Sequence, residues 1–342
     1  MPYRCALIGC GRRAAGHAAA YRSVRRGTLV AACDPHEEKV RAFCERYGIP
    51  SQYTNVAQML ERERPDVIHV VTRPNARLDI LELASDLGVP AAIVEKPIAS
   101  GSEEYTALRR FAGRTRMKAC VNHQLHFHPR LVELRKAVRD GAIGRVGFVE
   151  ASARLNLAYQ GTHLLQLIGG FVGPAEPVSV FGQVAGAAGL SGDRDHYSPD
   201  ECVAAIEFST GTRAQLLCGP GAPRTNDGAA HLQKRIAVYG SFGAAEWTMW
   251  SWQLTLPSGT SAGGSHDYFE EDALGQSALT EAAFDWLDDD GRVHPTNLAS
   301  ALNEFNVIVG IYLSALRHAH IRLPAPAEPD LLDSLRAHLA VG

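Results

Sequence analysis

The chain has 342 residues, more than one hydrophobic core usually organises, so two domains are expected. Hydrophobic residues make up 46% and charged residues 21%, with a net charge of -3, which excludes the basic footprint of a nucleic-acid binder and favours small-molecule partners. No run approaches the ~18 apolar residues of a membrane helix, no basic-then-apolar leader opens the chain, and the seven scattered cysteines form no Cys-x-x-Cys pair, so a cytoplasmic protein without membrane contact is expected.

Short apolar runs at 5–8, 29–33, 67–71, 91–94 and 118–121 alternate with amphipathic stretches such as 36–47 and 77–87. That alternation predicts a parallel sheet with crossover helices, its strands apolar on both faces because helices cover both. The rhythm changes near Asn122. A helix at 129–140 precedes longer strand-like runs at 146–157, 178–184, 203–208, 214–218 and 235–239, interrupted by a helix at 162–171. These predict an open, mostly antiparallel sheet with helices on one face, and hence an α/β domain over 1–121 followed by an α+β domain over 122–342. Two further helices are expected at 277–287 and 298–316. The Gly- and Ser-rich stretches 186–192 and 258–265 read as mobile loops, and 266–268 and 285–290 as solvated loop features. Thr296 or Asn297 is expected to cap the last of these helices.

Gly9, Gly11 and Ala14 form a G-x-G-x-x-A turn directly between the first strand and the first helix. The first Gly permits the tight turn, the second admits a diphosphate to the backbone, and the small third residue lets helix and strand pack. Asp34 ends the second strand, where an acid binds the adenosine ribose hydroxyls and repels a 2′-phosphate. The cofactor is therefore expected to be NAD rather than NADP, with Arg12 and Arg13 moderating that preference. The fourth strand leads into Glu95-Lys96-Pro97, at the carboxyl end of the sheet where ligands bind. There Lys96 is placed to lower the pKa of a substrate hydroxyl and share in removing its proton.

With Gly9-Cys10-Gly11, Asp34-Pro35, Thr72-Arg73-Pro74-Asn75, Glu95-Lys96-Pro97, Val121-Asn122-His123-Gln124, Gly144-Arg145-Val146 and Gly161-Thr162-His163 in order, the chain resembles the Gfo/Idh/MocA oxidoreductases, the glucose-fructose oxidoreductase and inositol dehydrogenase group. The resemblance implies a Rossmann domain, a second sheet domain and a polyol or sugar substrate. It implies cofactor contacts from Gly9, Gly11, Arg12, Arg13, Asp34, Thr72, Pro74, Asn75, Glu95 and Lys96, and substrate contacts from Lys96, His123, Tyr159 and His163. Catalysis is assigned to Lys96 and His163. Tyr159 and Gln166 stand where the family pattern has carboxylates around that His, and Arg77 stands where it has a His.

His123, His126 and His128 lie close in sequence, but without Cys or Glu at finger-like spacing they are read as pocket lining and no metal is expected. The activity implied is an NAD-dependent hydride transfer to or from a secondary alcohol of a sugar, sugar acid or cyclitol. A bound-NAD epimerase, lyase or glycosidase and a non-catalytic dinucleotide sensor are the alternatives. A sheet with one uncovered face favours a homo-oligomer, a dimer or tetramer.

Overall fold

Six strands, Tyr3–Ile8 (β1), Gly27–Cys33 (β2), Ser51–Tyr53 (β3), Val67–Val70 (β4), Ala91–Val94 (β5) and Lys118–Val121 (β6), all but β3 built on apolar runs, pair in parallel in the computed structural model, which describes residues 1–193 and 196–340. Their order is β3-β2-β1-β4-β5-β6. The order reverses between β1 and β4, the position at which a doubly wound sheet opens a crevice beyond its carboxyl ends. Between the strands run Arg12–Ala20 (α1), Glu37–Tyr47 (α2), Val56–Glu63 (α3), Arg77–Asp86 (α4) and Ser102–Ala112 (α5). The four-residue strands β4 and β5 are buried throughout. β3 is a three-residue, half-buried edge strand, too short to show a period.

Pro129–Arg139 (α6) leads into a second sheet built from Val146–Ala153 (β7), Pro177–Ala185 (β8), Glu201–Phe208 (β9), Arg213–Cys218 (β10), Lys234–Gly240 (β11), Ala244–Thr248 (β12), Ser251–Thr255 (β13), Ser261–Ser265 (β14) and Ile321–Arg322 (β15). Its order is β14-β13-β12-β11-β7-β10-β9-β8-β15, antiparallel except where β10 meets β7. Thr162–Val172 (α7) packs on β7, β10 and β11. On the opposite face Phe181, Val203 and Tyr239 are exposed, and Phe148, Phe181, Val203 and Gln215 line a groove of about 520 Å³.

Tyr268–Asp288 (α8), Leu298–Arg317 (α9) and Leu331–Ala340 (α10) complete the chain. By length and composition α9 passes as a membrane span, yet 78% of its most apolar stretch is buried inside the protein.

The chain divides into two compact units. The first takes Met1–Ala99, Thr106–Phe127 and Asp272–Leu302; the second takes Ser100–Tyr105, His128–Glu271 and Asn303–Gly342. The exchange at Phe127/His128 lies six residues past the boundary expected at 121/122, and the return of 272–302 was not expected. Two contacts explain it. Leu279, Ala283 and Phe284 of α8 enter the core of the parallel sheet. Thr296 receives the β6 edge, accepting from Val121 N at 2.8 Å and donating its hydroxyl to Val121 O at 2.6 Å, which covers an otherwise open strand.

Several expectations are corrected. Residues 258–265 are no loop throughout, because 261–265 form β14, whose Gly and Ser residues carry no alternating pattern. Residues 186–192 are anchored, with Leu190 buried and Asp200 accepting from the amides of Ala188 and Gly189 at 2.9 and 2.8 Å. The helix expected at 277–287 starts at Tyr268, with Asp267 Oδ1 accepting from the amides of Phe269 and Glu270, so 266–268 is a helix cap rather than a solvated loop. Asp285 and Asp288 belong to that helix and pair with Arg26. The strand expected at 146–157 ends at Ala153. Asn297 is the cap of α9, its Oδ1 accepting from Ser300 N at 3.1 Å.

Candidate active site

The glycine turn is shaped by backbone geometry. Gly9 has φ +92°, and a Cβ there would lie 2.4 Å from Val71 O, so neither the conformation nor the space admits a side chain. Gly11 caps α1 without a side-chain hydrogen bond, and a Cβ on it would meet nothing within 4 Å. The first amides of α1, with the positive end of its dipole, are thereby left to an anion. Ala14 is buried against the sheet.

Asp34 closes the turn from the end of β2. Its Oδ2 accepts from Cys10 N at 2.9 Å and its Oδ1 from His36 N at 3.1 Å, while Lys39 Nζ lies 2.9 Å from Oδ2. Burial works to raise the Asp34 pKa, but the two amides and the Lys39 ammonium outweigh it and hold the carboxyl below its ordinary value. The acid is therefore ionised and fixed where a ribose would meet it. Arg12, the first residue of α1, is exposed beside this turn in sequence.

After β4 the Thr72 carbonyl accepts from Arg77 Nε at 3.2 Å and Nη2 at 2.8 Å, and the same guanidinium donates to Pro97 O. Arg77 is buried, and it ties the Thr72–Asn75 turn to the Glu95–Pro97 turn. Pro74 is buried at the start of a short 3-10 turn, and Asn75 is exposed. In sequence Arg77 shows only as the replacement of a common His; its strap between two loops rests on long-range placement.

Two expected cofactor contacts, Glu95 and Arg13, pair with each other. Glu95 is buried, and its Oε1 accepts from His17 Nε2 at 3.0 Å, Arg13 Nε at 3.0 Å and Asn122 Nδ2 at 2.8 Å, while Oε2 accepts from Lys96 N at 3.1 Å. Its oxygens are thus taken up by the protein. Arg13 reaches Glu95 through Nε, with its side chain still 43% exposed. Burial tends to raise the Glu95 pKa, but Arg13, His17 and Lys96 hold it well below the usual range. His17, Asn122 and Gln276 escaped sequence reasoning. The one available signal was that His17 shares the inward face of α1 with Ala14 and Ala18.

Lys96 is 9% exposed. Burial lowers its pKa to about 8, the Glu95 carboxylate opposes this, and Arg13 and Arg77 add to it. An amine so tuned holds a minor neutral fraction near physiological pH, far larger than that of an ordinary Lys, and in that form can accept a proton. His123, just beyond β6, is buried, and burial with the nearby Lys96 charge lowers its pKa to about 3. It is a neutral imidazole.

Tyr159 and His163 lie in the second unit. Tyr159 sits in a π-helical turn, Leu157–Gly161, that Asn156 caps by accepting Tyr159 N at 3.0 Å. Such turns recur at functional sites. His163 is the second residue of α7 and is buried, as is Gln166.

Residues 3–123 match the model of the Gfo/Idh/MocA family, described as an oxidoreductase family with an NAD-binding Rossmann fold. Over 142 residues, 42% of this chain and 38% of the relative, the chain is 33% identical to a D-apiose dehydrogenase of Paraburkholderia graminis. Over 154 residues, 45% of this chain and 46% of the relative, it is 28% identical to an inositol 2-dehydrogenase of Rhizobium meliloti. The match thus spans less than half the length of these curated relatives. Among solved structures, an oxidoreductase from Agrobacterium radiobacter in complex with NAD+, L-tartaric acid and magnesium shares the fold at a TM-score of 0.80 and 17% identity, over 94% of this chain and 98% of that one.

Proposed function

Because residues 3–123 belong to the oxidoreductase family with the NAD-binding Rossmann fold, we propose that the chain is an NAD-dependent dehydrogenase or reductase. In this reading it passes a hydride between nicotinamide and a secondary alcohol of a sugar, sugar acid or cyclitol. The observation that carries this is Lys96, buried beside an ionised Glu95 at the carboxyl end of β5, in the same unit as the glycine turn and Asp34.

Gly9, Gly11 and the first amides of α1 would hold the diphosphate and Asp34 the ribose, with Thr72, Pro74 and Asn75 alongside. Bound NAD supplies the hydride acceptor, and the protein supplies orientation and proton handling. Lys96, in its neutral form, takes the proton from the substrate hydroxyl, and returns one to the carbonyl oxygen in the reverse direction. His123 offers an uncharged ring to a substrate hydroxyl. Tyr159 and His163 are retained as substrate contacts, with His163 the second candidate acid–base group. A pentose or cyclitol is the favoured substrate class, since the relatives above are an apiose and an inositol dehydrogenase.

Two further parts of the reading rest on chemistry outside the site. Seven free, buried thiols support a reducing, cytoplasmic setting. The exposed Phe181, Val203 and Tyr239 on the uncovered sheet face support assembly with a second copy. The activity is tested by following NADH formation from NAD with a panel of sugars, sugar acids and inositols. Turnover by the native chain and its loss in Lys96→Met is expected, and undiminished turnover in that variant would remove Lys96 from its role.

A further inference from the structure

Behind the Glu95 carboxylate runs a line of polar side chains that the proposed chemistry does not use, all within the first unit. His17, fully buried on α1, places Nε2 3.0 Å from Glu95 Oε1 and Nδ1 3.0 Å from Nδ1 of His69 in β4. The other nitrogen of His69, Nε2, lies 2.7 Å from the hydroxyl of Tyr21 at the end of α1. Each contact decides the next. An ionised carboxylate only accepts, so His17 Nε2 carries a proton.

Burial lowers the pKa of both histidines, that of His69 well below its usual value with His17 adding to the effect, so each ring is neutral and holds one proton. His17 Nδ1 is then a lone pair, and the proton between the rings sits on His69 Nδ1. His69 Nε2 becomes an acceptor, and Tyr21 donates to it. The hydrogen bonds therefore run one way, from the Tyr21 hydroxyl through His69 and His17 to Glu95. Asn122 closes the other side, donating to Glu95 Oε1 and to Gln276 Oε1 at 3.0 Å and accepting from Gln276 Nε2 at 2.9 Å. With both amide protons so directed, its 3.1 Å approach to His17 Nε2 asks nothing of that nitrogen.

We propose that His17 is a positioning residue, locked in one tautomer by His69 and Tyr21, which keeps the Glu95 carboxylate charged and aimed at the Lys96 backbone. The inference rests on Lys96 being the proton acceptor of the proposed reaction. The charged and titratable groups around the pair are Arg13 on α1, Arg77 on α4 and His123 after β6, with Asp272 on α8 acting on His17. Arg13, half-exposed, neutralises Glu95 from the solvent side, and the buried Asn122 anchors it through Gln276. His17 joins it to a second interior chain, one of titratable rings, that cannot turn away toward solvent, since His69 is fully buried.

Long-range proton–nitrogen NMR of the full chain labelled with 15N-histidine reads the tautomers directly. His17 should carry its proton on Nε2 alone and His69 on Nδ1 alone, both unchanged between about pH 7 and 8. His17→Leu should lower kcat for polyol oxidation about tenfold, through misplacement of the Glu95–Lys96 turn, while the polyol KM and NADH affinity stay within about twofold. His17→Gln, which keeps an N–H donor, should recover most of the loss. An imidazolium at either ring, a proton on His17 Nδ1, native kcat in His17→Leu, or no recovery in His17→Gln would overturn the proposal. Should His17→Leu not fold, the tautomers of the native chain still decide it. A native chain that binds NADH but turns over no polyol would refute the dehydrogenase reading instead, and the spectra would judge the tautomers separately.

Discussion

Lys39 Nζ lies 2.9 Å from Asp34 Oδ2, on the acid that closes the glycine turn. An unaccompanied carboxylate here repels a 2′-phosphate and so selects NAD. The half-exposed Lys39 offsets part of that charge. Discrimination against NADP should therefore be weaker than Asp34 alone would impose. Lys39→Ala is expected to widen the preference for NADH over NADPH by about fivefold, the scale of a half-exposed ion pair. Fluorescence titration of both reduced cofactors measures it, and an unchanged ratio would show that Lys39 does not act on the ribose end.

The pH dependence follows from Lys96. Burial draws its pKa down to about 8, and oxidation needs the neutral amine, so kcat/KM for the alcohol should rise with pH and level off above about 8. Glu95 opposes the lowering because its anion favours the ammonium. Removing that charge in Glu95→Gln should move the midpoint about one pH unit lower. A midpoint that moved upward would mean that the carboxylate does not act on Lys96 through its charge.

The two glycines of the turn should fail differently. Gly9→Ala places a Cβ 2.4 Å from Val71 O at φ +92°, so the fold itself should lose about 1–3 kcal/mol. Gly11→Ala meets no atom within 4 Å, and its stability should stay within about 0.5 kcal/mol of native. Yet Gly11→Ala should weaken NADH binding, since the new methyl stands at the capping position of α1. Denaturant unfolding alongside NADH titration separates the two. Equal destabilisation by both would contradict the assignment of Gly11 to ligand approach.

What could be read ahead of the structure was whatever is written locally. The glycine turn, Asp34 and Lys96 each sit at the end of an apolar run, so strand pattern and motif agreed. The polar interior did not announce itself, because the partners of Glu95 come from α1 and from Asn122 just past β6, and nothing in residues 268–276 foretells Gln276 of α8 reaching Asn122. Residues 266–268 read as a solvated loop; in the structure Asp267 caps α8, and Glu270 and Glu271 occupy its first turn, where acids suit the helix dipole. β14 was invisible for a different reason: a run of Ser, Ala and Gly on an exposed edge carries no hydrophobic signal.

The uncovered face of the second sheet offers a solution test. Phe181 and Val203 are 43% and 48% exposed on strands β8 and β9. If that face pairs with another copy, Phe181→Lys combined with Val203→Lys should lower the mass measured by light scattering while leaving far-UV circular dichroism unchanged. A native chain that is monomeric, or a variant of unaltered mass, would place assembly elsewhere or remove it.

Phe284 tests the discontinuous make-up of the first unit. It is fully buried, stacks on Tyr3 with ring centroids 4.5 Å apart, and fills the space beside Gly27, where a Cβ would come within 2.5 Å of its ring. Around it Arg26 binds Glu281 and Asp285 at 2.7 and 2.6 Å, fastening α8 to the start of β2. Phe284→Ala should cost about 3–5 kcal/mol, the range for truncating a buried aromatic. Because β2 leads directly into Asp34, the loss should appear as weaker NADH binding on warming, well before the second unit unfolds. If binding and unfolding were as in the native chain, residues 272–302 would be an appendage to the cofactor domain and not part of its core.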